Sequence, residues 1–181
     1  MKFCSDCGHP VERLTPAGDH LPRAVCPSCN AIHYINPKMV VGCIPEAPDG
    51  RILMCKRNIW PRIDKWTFPA GYLEMGETTA DGAARETREE SLAQVTVGEL
   101  LAVMDIPRVD QVYIVYRAKL AADATFGPTP ESNDVRLMRE EDIPWDEIAF
   151  PTIHIALKAF FADRREGVIR VHHEVIRLPA R

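Results

Sequence analysis

The chain of 181 residues is long enough for one medium-sized domain and a small module, and 46% hydrophobic residues allow a core of ordinary size. Its net charge of −4 excludes a global positive field that would attract nucleic acid or an anionic membrane. The N-terminus lacks the apolar region of a signal peptide, and no stretch approaches the length of a membrane span. We therefore expect a cytoplasmic protein that has no membrane partner and no disulfides.

Four of the six cysteines form two C-x2-C pairs separated by 18 residues. The four are Cys4, Cys7, Cys26 and Cys29. Two pairs at this separation are typical of a tetrahedral, structural zinc site, whereas a redox motif would not place two pairs in one short segment. Because such a segment has too small a core to fold alone, zinc would supply its folding energy. Three nearby histidines are expected to be surface or packing residues: His9, His20 and His33.

Residues 1–35 are predicted to form this zinc ribbon, and residues 36–181 a second domain. The second domain begins with two strand patterns, MVVGCI and RILMCKR, around the turn APDG. Cys43 and Cys55 lie in these strands and are predicted to be small buried hydrophobes. The segment WTFPAGY is predicted to be extended, and a helix is predicted from residue 78 to about residue 92.

The second half of the chain continues with the strand patterns LLAVMDIP and QVYIVYRAKL, joined by a turn at RVD. A polar loop at 121–133 is long for a simple connection, which suggests a function, and the strand DVRLM follows it. Residues 150–166 have helical periodicity and stop at Gly167, and a last strand lies in VIRVHHEVI, with His172 and His173 on the surface. This order predicts an α+β sandwich with helices packed on a mixed sheet.

The helix predicted from residue 78 carries three carboxylates on one face. With Thr78 as the cap, Glu86, Glu89 and Glu90 fall within an arc of about 100°. Such like charges repel, and a divalent cation would reverse the sign of that interaction. Oxygen ligands of this kind favour Mg²⁺ or Mn²⁺, whereas a solvated acidic stripe is the alternative interpretation. An adjoining stripe of small residues is predicted to pack tightly on the sheet: Ala80, Ala84, Thr87 and Ser91.

The spacing around these carboxylates resembles the signature of the Nudix hydrolases. Gly71, five residues, Glu77, seven residues and the run Arg85-Glu86-x-x-Glu89-Glu90 match six of its seven fixed positions. Two positions depart from the pattern. Thr87 stands where an apolar residue is usual, and Leu92 replaces a glycine. Because leucine is strained in the left-handed cap that glycine provides, we expect the helix to continue to Ala93 or Gln94.

The resemblance implies a Nudix-type α/β/α sandwich that hydrolyses the pyrophosphate bond of a nucleoside diphosphate linked to another moiety. The carboxylates of Glu86, Glu89 and Glu90 would hold Mg²⁺ or Mn²⁺. Glu77 and Arg85 would orient this set, and the backbone of Gly71 would offer a carbonyl ligand.

The N-terminal ribbon and the later motifs resemble one subgroup, the zinc-ribbon Nudix proteins related to plant plastid FAD pyrophosphatases. The SQPWPFP segment of NADH pyrophosphatases is absent after the box. FAD or ADP-ribose is therefore ranked above NADH or NAD, and above the removal of NAD caps from RNA. The expected partner is a small nucleotide rather than nucleic acid, and a homodimer is compatible with the sequence. A ligand sensor without catalysis is the competing class, and the intact glutamate set argues against it.

The general base is left open by the sequence, because it can come from the helix or from a later loop. Glu131 in the polar loop is the first choice, and Asp134 is the alternative. Arg57 is a candidate for phosphate binding. Trp66 and Tyr72 are candidates for stacking on the substrate, with core packing as the competing role. Three other aromatic residues offer the same two roles: Trp60, Phe68 and Tyr113.

Overall fold

In a computed structural model of the chain, residues 1–177 are described. The chain divides into two compact units, Met1–Pro37 and Lys38–Arg181. The first unit is a three-stranded antiparallel sheet whose strands follow one another in chain order: β1 (Glu12–Leu14), β2 (Arg23–Val25) and β3 (Ile32–His33). Within the described residues, no helix has the length and apolar character needed to cross a membrane.

The second unit contains eight strands and two helices within the described residues. They are β4 (Lys38–Glu46), β5 (Ile52–Arg57), β6 (Trp66–Thr67), β7 (Ala70–Tyr72), α1 (Thr79–Ser91), β8 (Val95–Ile106), β9 (Gln111–Leu120), β10 (Ser132–Met138), α2 (Pro151–Glu166) and β11 (His172–Val175). Short 3-10 turns occupy Pro107–Val109, Glu140–Asp142 and Trp145–Glu147. The predicted strands and both helices are confirmed, although the sequence did not predict the 3-10 turns.

The sheet is mixed, as predicted. Its main order is β10-β5-β4-β9-β8-β11, in which β4 with β9 and β8 with β11 run parallel and the other neighbours run antiparallel. The two helices pack on opposite faces, since Ala83 of α1 clusters with Val41 and Cys43 while Leu157 of α2 clusters with Ile44. This arrangement confirms the predicted α/β/α sandwich.

The two strands of the hairpin, β4 and β5, diverge along their length, and this divergence shapes the site. The two strands pair only at the closed end, where Glu46 meets Ile52. Farther on, the predicted extended segment 66–72 is split, with β6 pairing with β5 and β7 with β4. Gly42 permits this approach, because a Cβ there would lie 2.5 Å from the Cβ of Ala70. As a result, β7 runs beneath α1.

Helix α1 begins as the sequence predicts and ends earlier. Thr78 caps it, its hydroxyl oxygen accepting the Asp81 N–H at 3.1 Å. The expectation that the helix continues to Ala93 or Gln94 is wrong, because Leu92 adopts the left-handed conformation at φ 64° and ends it. This conformation costs about 1–2 kcal/mol. It allows Ala93 to be fully buried against a cluster that includes Leu53, so tertiary packing overrides the local strain.

The predicted small-residue face of α1 is also partly corrected. Thr87 and Ser91 are fully buried, but Ala80 and Ala84 are only half-buried, and Ala83 is the alanine in the core. Thr87 fits in place of an apolar residue because its hydroxyl donates to the Ala83 carbonyl at 2.8 Å. Cys43, whose sulfur lies 3.1 Å from that hydroxyl, and Cys55 are buried as predicted.

Strand β11 is fastened by the two histidines expected on the surface. His173 is exposed and lies 2.9 Å from a carboxylate oxygen of Asp105. The expectation is wrong for His172, which is 26% exposed and lies 3.0 Å from a carboxylate oxygen of Asp163. Asp163 is fully buried, and it also accepts a hydrogen bond from Arg117, so this histidine belongs to a structural network.

Candidate active site

Arg85 is the centre of the acidic cluster on α1. Its guanidinium donates to both carboxylate oxygens of Glu77, at 3.0 and 2.8 Å, and to the Tyr72 carbonyl at 3.0 Å. One terminal nitrogen also donates to Glu86 and to Glu89, each at 2.8 Å. These contacts use all five N–H donors of the guanidinium. Arg85 is therefore saturated by the protein and acts as an internal counter-charge for the carboxylates.

Glu77 fixes Arg85 from the loop before the helix. Its carboxylate also accepts the backbone N–H of Glu74 at 2.7 Å. These hydrogen bonds, with that from Arg85 the largest influence, lower the pKa of Glu77 to about 2. Glu77 thus remains ionised and holds the arginine in one orientation.

Two of the three predicted metal ligands are buried. Glu86 is 8% and Glu90 5% exposed, whereas the side chain of Glu89 is 54% exposed. Burial raises the pKa of Glu86, and it raises the pKa of Glu90 to about 8, with the neighbouring Glu86 charge adding to the effect. The helix therefore buries two carboxylates whose ionised forms have lost their contact with water. A bound cation would supply the positive charge that stabilises them.

Strand β7 brings backbone against these carboxylates. The Ala70 N–H donates to Glu90 at 3.3 Å, a contact that the sequence did not predict. A Cβ at Gly71 would overlap the position that the Glu86 carboxylate occupies, so glycine allows this close approach. Buried carboxylate oxygens beside an exposed carboxylate and a closely approaching backbone are the oxygen-rich donor set that hard divalent cations prefer. Glu86, Glu89, Glu90 and the Gly71 backbone are thus suited to hold such a cation.

The polar loop before β10 carries Glu131 to the cluster. Burial raises the pKa of both Glu86 and Glu90, and the Glu131 charge adds to this effect. Its loop is fastened to the end of α1, since Gly127 N–H donates to the Ser91 carbonyl at 2.9 Å. Asp134, the alternative acid, instead pairs with Arg136 within β10.

The three residues predicted to contact substrate have different surroundings. Arg57 ends β5, and its charge lowers the pKa of Glu90 against the effect of burial, so it lies beside the acidic cluster. The Tyr72 side chain is exposed, but Lys38 lies 5.1 Å from its ring centre and Gln111 donates to its hydroxyl. The prediction for Trp66 is wrong, because its side chain is 6% exposed within the core cluster.

The other aromatic candidates divide in the same way. Phe68 is fully buried and Tyr113 packs against the core, so both follow the competing interpretation. Trp60 is 84% exposed.

A cleft of about 400 Å³ runs along the outer side of α1, where Arg85, Arg88 and Glu89 face the loop Pro128–Pro130. Arg88 was not singled out in the sequence, because it stands at a variable position of the pattern.

The two cysteine pairs in the first unit fold into equivalent knuckles. In the first, Cys4 N–H donates to the His9 carbonyl and Gly8 N–H to the Cys4 carbonyl. In the second, Cys26 N–H donates to the Ala31 carbonyl and Asn30 N–H to the Cys26 carbonyl. The residue after each pair adopts positive φ, 76° at Gly8 and 60° at Asn30. Glycine and asparagine are the residues that most readily accept this conformation.

These knuckles bring four free thiols together. All four sulfurs lie within 4.8 Å of one another, with Cys4 to Cys29 at 3.6 Å and Cys7 to Cys26 at 3.4 Å. Zn–S bonds of about 2.3 Å in a tetrahedron separate the sulfurs by about 3.8 Å, so the set fits zinc. His33 lies 3.2 Å from the Cys4 sulfur, closer to the site than a simple surface histidine.

Comparison with known proteins agrees with both units. The profile described as Nudix N-terminal, a zinc ribbon, matches residues 2–35, and the profile described as NUDIX domain matches residues 36–159. A crystal structure of a NUDIX hydrolase from Nitrosomonas europaea is 50% identical in sequence. It superimposes with a TM-score of 0.93 and covers 97% of this chain and 99% of its own.

Two curated relatives carry named activities. The NAD-capped RNA hydrolase NudC of Edwardsiella ictaluri is 27% identical over 175 residues, covering 96% of this chain and 63% of the relative. The ADP-ribose pyrophosphatase of Methanocaldococcus jannaschii is 35% identical over 77 residues, covering 42% of this chain and 45% of the relative. The match therefore spans less than two-thirds of the length of either relative.

The domain match covers most of the chain, the sandwich carries the expected glutamates on α1, and the cysteine ribbon precedes it. The protein belongs to the Nudix family and carries the family's N-terminal zinc-ribbon domain.

Proposed function

We propose that this protein hydrolyses the pyrophosphate bond of a nucleoside diphosphate linked to another moiety, with ADP-ribose and FAD as the first candidates for substrate. The observation that carries the proposal is the pair of buried carboxylates that lie against β7, with Glu86 against the backbone of Gly71 and Glu90 accepting the Ala70 N–H. Burying two like charges destabilises the fold unless a cation joins them. This arrangement therefore supports a catalytic role over a purely structural one.

Glu86, Glu89 and Glu90, with the Gly71 carbonyl, would hold Mg²⁺ or Mn²⁺. When bound, the metal neutralises charge on the diphosphate and lowers the pKa of a coordinated water. Arg85 is a positioning residue, because its donors are all occupied by Glu77, the Tyr72 carbonyl and the metal-binding carboxylates.

Glu131 is the proposed general base. It would accept the proton of a water whose oxygen attacks one phosphorus, while the bridging P–O bond breaks and the other phosphate leaves. Its effect on the pKa of Glu86 and Glu90 supports this role, as does the pairing of Asp134 with Arg136. Arg57 would bind a phosphate oxygen, since its charge acts on Glu90, whereas the donors of Arg85 are already used by the protein.

A second substrate class is NAD-linked: NADH, NAD⁺ or NAD-capped RNA. The match to the Edwardsiella ictaluri NAD-capped RNA hydrolase over 96% of this chain favours it, whereas the ranking of FAD rests on the sequence resemblance. All of these substrates share the same scissile bond, so the proposed roles of the residues are unchanged.

A hydrolysis screen with identified products tests the proposal. Purified protein is incubated with Mg²⁺ or Mn²⁺ and with FAD, ADP-ribose, NADH, NAD⁺, dinucleoside polyphosphates or NAD-capped RNA. Cleavage between the two phosphates is expected, and it should disappear in Glu90→Gln prepared in parallel. A native protein that binds these nucleotides and cleaves none of them would show the ligand sensor instead.

A further inference from the structure

The segment 58–64 between β5 and β6 presents apolar side chains to water. Trp60 is 84% exposed, and its neighbours Ile59 and Ile63 are 37% and 51% exposed. Among the described residues, Trp60 is the most exposed aromatic side chain. A tryptophan left in water keeps a large apolar face available for a ligand.

The segment is ordered by its own hydrogen bonds, without burying Trp60. Arg57 Nε donates to the Pro61 carbonyl at 3.0 Å, and the Asp64 N–H donates to the Arg57 carbonyl at 2.9 Å. Arg57 N–H donates in turn to the Lys65 carbonyl at 2.9 Å. The tip that carries Trp60 is thus closed at its base, and Trp60 contributes little to holding it.

The same segment is joined to the loop that carries Glu131. The backbone N–H of Asn58 donates to the Glu131 carbonyl at 2.8 Å, and its side chain donates to the Pro130 carbonyl at 3.0 Å. Asn133 donates to Asp64 at 2.9 Å. Since Thr129 of that loop also contacts the Glu90 carbonyl at 3.4 Å, a continuous set of contacts connects the Trp60 segment with the acidic cluster.

The other aromatic side chains near the cluster are already occupied. Trp66 is buried, with Arg136 5.8 Å from its ring centre. Tyr72 is 51% exposed, with Lys38 5.1 Å from its ring centre, and Trp145 lies between Lys158 and aromatic neighbours. Trp60 is therefore the most open aromatic face, and it lies on the segment fastened to Arg57, the residue that would meet a phosphate.

We infer that Trp60 binds a planar heteroaromatic ring at one end of the substrate by stacking on it. This inference rests on the proposed function, because it assigns the ring-binding element of the same site. A phosphate at the acidic cluster and a ring on Trp60 are the two chemical ends of one nucleotide. The ring belongs either to the nucleobase or to the second moiety, such as a flavin, and the test separates the two.

The test compares Trp60→Ala and Trp60→Phe with the native protein in the presence of Mn²⁺. Dissociation constants are measured for AMP, FMN and inorganic pyrophosphate, the last having no ring. Trp60→Ala should weaken binding of AMP or FMN by about 5- to 100-fold, and Trp60→Phe should recover most of it. Pyrophosphate binding should stay within about twofold. Phe3→Ala, which removes another exposed aromatic side chain, is the matched control.

The probe that loses affinity identifies which end of the substrate carries the ring. Equal weakening for pyrophosphate and for both ring-bearing probes would overturn the inference, as would no weakening for either AMP or FMN. If Trp60→Ala instead converts a dimer to a monomer with unchanged affinities, Trp60 is an interface residue and the inference fails. Because binding is measured without turnover, these results remain distinct from a failure to detect hydrolysis.

Discussion

The cysteine knuckles of residues 1–37 and the acidic cluster on α1 both gather ligands for a cation, but they depend on the rest of the protein in opposite ways. The ribbon has only three short strands, and its four sulfurs lie close together because each pair sits in its own turn. The acidic cluster is built by a complete sandwich, whose packing buries Glu86 and Glu90.

This difference indicates which free energy a metal would change at each site: that of folding in the ribbon, and that of catalysis in the sandwich. In the ribbon, a bound zinc would replace a hydrophobic core and stabilise the fold. In the sandwich, Arg85 pairs with Glu77, Glu86 and Glu89, and burial raises the pKa of Glu90 to about 8, so a bound cation would compensate charge rather than build the fold. The first site should therefore fail structurally when altered, and the second should fail in activity while its fold persists.

The largest expected effect comes from breaking the ribbon. Cys26→Ser should reduce zinc from about one per chain to nearly none, and residues 1–37 should lose their ordered structure. Structural zinc contributes about 10 kcal/mol or more to small zinc-binding modules. Elemental analysis and amide hydrogen exchange measure the two losses. The matched change Cys43→Ser, at a buried thiol of the sandwich, should leave the zinc content unchanged.

The next effect is on turnover. Glu89→Gln and Glu90→Gln should each lower kcat by at least about 100-fold, because each removes a charged oxygen ligand from the proposed cation. The zinc content and the circular dichroism spectrum should match those of the native protein. Near-normal rates for both variants under saturating Mg²⁺ would refute the metal site on α1.

A somewhat smaller effect is expected at Glu131. Glu131→Gln should lower kcat by about 10- to 100-fold with little change in KM, because a general base acts mainly in the transition state. The acidic limb of the pH–rate profile should also be lost. Asp134→Asn is the control and should retain most activity. Unaltered kcat in Glu131→Gln would assign the base to the helix, and equal losses in both variants would assign them to disorder of the loop.

Replacing Glu90 by glutamine should raise the stability of the protein although it lowers the activity. Its pKa is raised by burial from 4.5 to about 8 in the folded protein, so the folded state binds more protons than the unfolded state between these values. The stability of the protein without Mg²⁺ or Mn²⁺ therefore falls as pH rises through this range. Glu90→Gln, which resembles the protonated side chain, should be more stable than the native protein at pH 8 by about 1–3 kcal/mol.

Urea unfolding of zinc-containing protein, freed of other divalent cations, measures this difference. The two proteins should become equally stable about one pH unit or more below 4.5, where native Glu90 is protonated in both the folded and unfolded states. A Glu90→Gln variant that is less stable at pH 8 would show that the buried carboxylate is satisfied without a cation.

The last expected effect is on affinity for Mn²⁺. Because Glu90 is mainly protonated below pH 8 in the absence of a cation, Mn²⁺ must displace its proton. The apparent dissociation constant should rise as pH falls from 8 to 6, by up to about tenfold per pH unit, with release of up to about one proton. Calorimetry in buffers of different ionisation enthalpy measures both quantities. The zinc content should stay constant over the same range, and an affinity independent of pH would contradict the assignment.

The sequence by itself determined the parts that depend on local spacing. The two C-x2-C pairs predicted the sulfur cluster because each turn is closed by its own backbone hydrogen bonds. The positions of Glu86, Glu89 and Glu90 on one helix followed from the 3.6-residue period. Apolar runs bounded by turn residues predicted the strands of the sandwich, and β4 and β5 are accordingly buried along most of their length.

Only the tertiary structure decided the features that depend on distant partners. Leu92 ends α1 in a strained conformation because Ala93 must be buried, a contact that no local rule contains. Trp66 and Trp60 lie near each other in sequence and are both aromatic, yet one enters the core and the other remains 84% exposed. Likewise, Glu90 carries a raised pKa because the sandwich closes over it, and burial is a property of packing rather than of sequence spacing.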